Sequence, residues 1–139
     1  MIINIEQISF KKIRNLSRLF NSQDSLTKIE DGGLTMGNKV NNTAYMFQKC
    51  GWLTNMPNFD TSNVTNMSGM FSECGDKGLN IPNFNTINVT DMSGMFFHCN
   101  LINIPNFDTI NVKNMSTMFY ECENLITVPN FNTSNVIDM

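Results

Sequence analysis

The chain has 139 residues, of which 41% are apolar, and nine Lys/Arg against twelve Asp/Glu give it a formal net charge of -3. That length suits one domain, and so slight a charge balance gives no argument for nucleic acid or a charged membrane surface as partner. No apolar run approaches the roughly 18 residues of a membrane span, and the opening Met1–Glu6 is too short and polar for a secretory core, so neither membrane insertion nor an address is expected.

Taken in chain order, residues 1–12 fall outside the pattern that fills the rest, and are expected to form an N-terminal cap. The pattern starts in worn form, since Ile13-Arg14-Asn15-Leu16-Ser17-Arg18-Leu19-Phe20 superimposes on Val112-Lys113-Asn114-Met115-Ser116-Thr117-Met118-Phe119. Val40 to Cys50 is a second copy, with Met46-Phe47 in register. Full copies run from Pro57 to Cys74, Pro82 to Cys99 and Pro105 to Cys122, and a further one opens at Pro129 and stops at Met139. Self-similarity at this period marks a stacked array. Residues 13–139 are therefore read as a solenoid of five turns plus a partial sixth. Pro and Cys keep one spacing in all three full copies, while the stretch from Cys to the next Pro varies. Insertions are thus confined to one loop per turn.

Within each copy two patterns alternate. Val64, Met67, Met70 and Phe71 fall at i, i+3, i+6 and i+7, the apolar stripe of a short helix, with Thr65, Asn66 and Ser68 on its other face. Thr61 or Asn63 can cap its start, and Gly69 and Gly94 suggest close approach of neighbouring turns. Leu101-Ile102-Asn103-Ile104-Pro105-Asn106-Phe107 reads as a short extended segment with Leu101, Ile104 and Phe107 inward, as are Leu53, Met56 and Phe59 two copies earlier. The expected fold class is an α/β repeat with one short parallel strand and one short helix per turn of about 24 residues.

The run Asn-Phe-Asp-Thr-x-Asn-Val-x-Asn-Met-Ser-x-Met-Phe-x-x-Cys, followed by Leu, resembles the BspA-like bacterial surface-protein repeat, a relative of the leucine-rich repeats. The resemblance covers about Ile13 to Met139. It implies a leucine-rich-repeat-like solenoid with a parallel sheet on one face, used for surface binding or adhesion and for recognition, not catalysis. Two features depart from that pattern. The strand motif is shortened to Leu-x-x-Ile-Pro-x-Phe, and no signal peptide or anchor stands in the sequence.

Cys50, Cys74, Cys99 and Cys122 occur once per copy, unlike the paired short spacings of zinc sites. They are read as a ladder of buried free thiols, with a disulfide between adjacent turns left open. No metal site, cofactor or catalytic residue is expected. His98 has no counterpart, since Glu73 and Glu121 fill its place, and it lacks a partner nucleophile. The Asn columns (Asn58, Asn83, Asn106, Asn130 and Asn63, Asn88, Asn111, Asn135) are expected to bond backbone. Positions that differ between copies should face outward: Ser62, Ile87, Ile110 and Ser134 share one column, Gln48, Ser72, Phe97 and Tyr120 another. The candidate partner-binding residues are therefore Ile87, Phe97, His98, Ile110 and Tyr120.

These readings describe a non-catalytic protein-binding module of surface interaction or adhesion type, with another protein as partner and no nucleic acid. One alternative is a small intracellular phage or host effector that inhibits a macromolecule by occupying its surface. Another is a structural subunit that associates end to end through an open C-terminal end, since the sixth copy stops half made and without a polar cap.

Overall fold

A computed structural model describes residues 2–3, 12–29 and 36–139. The copies lie one on another as coils, but the local structure inside each coil differs from expectation. Among the described residues there is no helix, and strand is confined to β1 (Ile2–Ile3) and β2 (Lys28–Ile29). These two pair in parallel, Ile2 opposite Lys28 and Ile3 opposite Ile29. The expected leucine-rich-repeat-like α/β solenoid, with a helix and a strand in every turn, is therefore overturned. Of the proposed cap, only Ile2, Ile3 and Lys12 belong to the described residues.

Backbone geometry explains why the apolar stripe does not become a helix. Two residues per coil, four apart, take the left-handed conformation: Arg18 and Ser22, Tyr45 and Lys49, Gly69 and Glu73, Gly94 and His98, Thr117 and Glu121, all with φ between 53° and 61°. A helix cannot pass through such residues. Between them the chain folds as consecutive tight turns. The amides of Met70 and Ser72 donate to the carbonyls of Met67 and Gly69, at 3.2 and 3.0 Å. The intervening amides leave the coil altogether. Met67, Gly69, Phe71 and Glu73 donate to the carbonyls of Asp91, Ser93, Met95 and Phe97 in the next coil, at 2.8–2.9 Å.

The same register recurs along the stack, for example from Arg18, Phe20 and Ser22 to Ala44, Met46 and Gln48. On the opposite side of this segment the direction reverses. Thr65 donates back to Asn41, Thr90 to Thr65 and Lys113 to Thr90, each at 2.9 Å. The resulting parallel bridges join Asn15, Asn42, Asn66, Asp91, Asn114 and Asp138 in one column. That column lies inside the stretch expected to be helical. The stretch expected to be extended, Leu101 to Phe107, carries no strand, and Pro105 within it has no amide to give a ladder.

Side chains follow the columns inward. Phe20, Phe47, Phe71, Phe96 and Phe119 stack at 5.3–5.8 Å between ring centroids, with planes within 7°. Phe59, Phe84, Phe107 and Phe131 form a second column whose rings lie 6.1–6.3 Å from those of the first. Leu53, Met56, Leu101, Ile104, Met67, Met70, Met92 and Met95 complete the core. Buried hydroxyls are satisfied axially: Thr61, Thr86 and Thr109 donate to the carbonyls of Asn85, Asp108 and Asn132 at 2.8–2.9 Å. Thr61 thus bonds the next coil and caps no helix.

Candidate binding face

The outward surface is built from the same columns that build the core. Because each coil is bonded to the next at alternate amides, a side chain in one coil sits directly against its counterpart in the next. In the column of Gln48, Ser72, Phe97 and Tyr120 this brings two aromatics together, with ring centroids 5.3 Å apart and planes at 11°. Tyr120 is 54% exposed, and Phe97 is half-buried beneath it. His98 meets Phe97 edge-on at 6.4 Å, held in its left-handed conformation by an amide bond to the Tyr120 carbonyl at 2.7 Å. Phe97, His98 and Tyr120 are therefore one cluster.

Ile87 and Ile110 form a separate pair on another corner of the coil, both partly exposed. Their amides donate to the side-chain oxygens of Asn85 and Asp108, at 3.2 and 3.1 Å. Their carbonyls are taken by the side-chain amides of Asn111 and Asn135, each at 2.7 Å. Asn88, Asn111 and Asn135 thus clamp the corner of the coil before them, Asn88 reaching the Ser62 carbonyl at 2.7 Å, whereas Asn63 of the same column bonds the Ser62 hydroxyl in its own coil. No ring contact joins this isoleucine pair to the aromatic cluster.

Beside Phe97 lies a feature that sequence reasoning missed. Arg18, Tyr45, Gly69, Gly94 and Thr117 share the first left-handed column. The Arg18 guanidinium sits 4.8 Å from the Tyr45 ring centroid, and the Tyr45 ring fills the space where a side chain on Gly69 would stand. Gly94, by contrast, is open. The result is a depression of about 250 Å³ bounded by Tyr45, Gly69, Ser72, Gly94 and Phe97. The presence of Gly69 and Gly94 in one column was the signal for it.

Lys49, Glu73, His98 and Glu121 of the other left-handed column, which begins at Ser22, border a larger groove of about 580 Å³, which carries the carboxylates of Asp24, Asp76 and Glu123 as well. Lys49 and Glu73 approach to 3.9 Å across two coils, an exposed pair of little energetic weight. Outside this groove, Asp60 is held below the usual carboxylate range, first by the Ser62 side chain and then by the Ser62 amide.

The thiol column lies under that groove. Each sulfur donates to the carbonyl of a phenylalanine one coil back: Cys50 to Phe20, Cys74 to Phe47, Cys99 to Phe71 and Cys122 to Phe96, at 2.6–3.0 Å. All four are free thiols. Burial pushes Cys99 up to about 12 and raises Cys74 and Cys122 as well.

A family model described as "Mycoplasma protein of unknown function, DUF285" matches this chain over residues 1–76 and 39–139. The chain belongs to that family. The two overlapping matches span all the coils that carry the aromatic cluster and the depression. No curated protein and no solved structure matches the chain.

Proposed function

We propose that the chain is a non-catalytic protein-binding module of surface interaction or adhesion type, and that its binding face is centred on Phe97 and Tyr120. The observation that carries this reading is the stacked, outward-facing ring pair. Its backbone is fixed by bonds between coils, and Tyr120 is left largely in water. Rigid aromatic anchors of this kind lose little conformational freedom on docking and dominate interface energetics. The repeat's resemblance to BspA-like surface-protein repeats, with which the DUF285 family is associated, supports recognition over catalysis.

The test is the double replacement Phe97→Ser, Tyr120→Ser, compared with the parent chain by affinity capture and by thermal unfolding. The expected result is loss of the captured partner with a stability change of about 1 kcal/mol or less, as for other surface positions. Retained capture, or a double variant that unfolds, would place the binding face elsewhere.

A further inference from the structure

The aromatic ladder on the outer face has a gap. Tyr120 covers one side of Phe97, but one coil in the other direction stands Ser72, which has no ring to offer. Alongside, Tyr45 leans over Gly69 and stops there. A Cβ placed on Gly94 would meet only Thr117 Oγ1 at 3.6 Å and Phe97 Cβ at 3.8 Å, ordinary contact distances. The 250 Å³ depression is thus lined by Tyr45 and Phe97, by Gly69 and Gly94, and by Ser72, Ser93, Ser116 and Thr117. Of the hydroxyls that line it, Ser93 donates to Asp91 at 2.7 Å and Ser116 to Asn114 at 2.8 Å, while Ser72 and Thr117 bring theirs to its edge. A flat ring that stacks on Phe97, with its edge toward the hydroxyls of Ser72 and Thr117, fits such a space.

What surrounds it sets the charge of the guest. Glu73 directly follows Ser72 and Glu121 directly follows Tyr120, and both line the neighbouring groove with Asp24, Asp76 and Glu123. Against these five carboxylates stand Lys49, already paired with Glu73, and His98. Complementarity therefore asks for a cation next to the ring.

We propose that the depression over Gly94, between Tyr45 and Phe97, receives an aromatic side chain of a partner protein segment that carries Lys or Arg beside it. This rests on the reading of the chain as a protein-binding module, and names the partner's chemistry. The guest ring supplies the missing rung against Phe97, and the cation enters the carboxylate groove.

The test uses the whole chain and the blocked tetrapeptide Lys-Phe-Lys-Lys, followed by amide chemical shifts. Saturable shifts at Ser72, Ser93, Gly94 and Thr117 are expected. Affinity should fall at least about tenfold, the loss of one anchor, for the peptide Lys-Ala-Lys-Lys and for the variant Gly94→Thr. Thr117 takes the same left-handed conformation as Gly94, so the fold has a precedent for that variant. Should Gly94→Thr unfold, Tyr45→Ala removes a wall of the depression and should weaken binding in its place. Shifts mapped elsewhere, equal affinity for the alanine peptide, or undiminished binding by the variants would overturn the proposal. Such a failure with capture still dependent on Phe97 and Tyr120 would remove the aromatic slot and leave the protein-binding reading standing; loss of that dependence as well would remove both.

Discussion

The ring of Tyr45 occupies the side-chain space of Gly69, one coil further along the stack. The two residues share a left-handed column, so the glycine is required twice over, by φ and by its neighbour's ring. Gly69→Ala should cost about 1–2 kcal/mol for the left-handed backbone, plus the displacement of Tyr45. Gly94→Ala, with open space above it, should cost the backbone part alone. In a Tyr45→Ala background the two glycine variants should become alike in chemical denaturation; a gap that persists would mean the ring is not the cause.

The phenylalanine column carries the core. Phe96 is stacked between Phe71 and Phe119 and is fully buried. Phe96→Ala should therefore destabilise by about 3–5 kcal/mol, the usual cost of deleting a buried ring. Denaturant midpoints would report it, and an unchanged midpoint would show that the column is not load-sharing.

Buried hydroxyls make a sharper test of the bonds between coils. Thr86 is 1% exposed and donates to the Asp108 carbonyl at 2.8 Å. Thr86→Val keeps the shape and removes the donor, leaving that carbonyl unpaired at a cost of about 1–3 kcal/mol. Thr90→Val, at an exposed site bonding the Thr65 carbonyl, should cost less because water can replace the hydroxyl. Equal losses at the two sites would argue against burial as the deciding factor.

The thiol column sets a pH dependence. Burial raises Cys99 from its ordinary 9.0 to about 12, since a thiolate would lose its hydration there. A group with a raised folded value contributes stability in full below its unfolded value and loses it as pH climbs through the folded one. Stability should thus decline between pH 9 and 12, and decline less steeply in Cys99→Ala. Alkylation at pH 8 should label Cys122, which is half-buried, before Cys74 or Cys99. Prompt labelling of Cys99 in the folded chain would contradict this.

How far the fold could be read from residues depended on what the repeat encodes. Which side chains point inward was legible, because a column that stays apolar from copy to copy is packed: Val64, Met67, Met70, Phe71, Leu101 and Ile104 are all buried. Their local conformation was not. A spacing of three, three and one is shared by a helix and by consecutive tight turns, and nothing in Tyr45, Glu73, His98 or Thr117 announces a left-handed backbone. Tyr45, Glu73 and His98 hold it because their own amides are bonded to the next coil, a tertiary cause that local sequence does not record. The face showed the same division. Phe97 and Tyr120 stood out as departures from the repeat, whereas the opening beside them exists because Gly69 and Gly94 carry nothing, and an absence is harder to read than a ring.

In the segment between its two left-handed residues each coil presents carbonyls toward its predecessor and amides toward its successor, and beside that segment the reverse, in one fixed register. Coils are for that reason interchangeable parts. A lineage can duplicate, delete or swap one of them without renegotiating the joint. It can also rewrite the outer positions rung by rung, so that new recognition specificities arise by shuffling and not by redesign of the core.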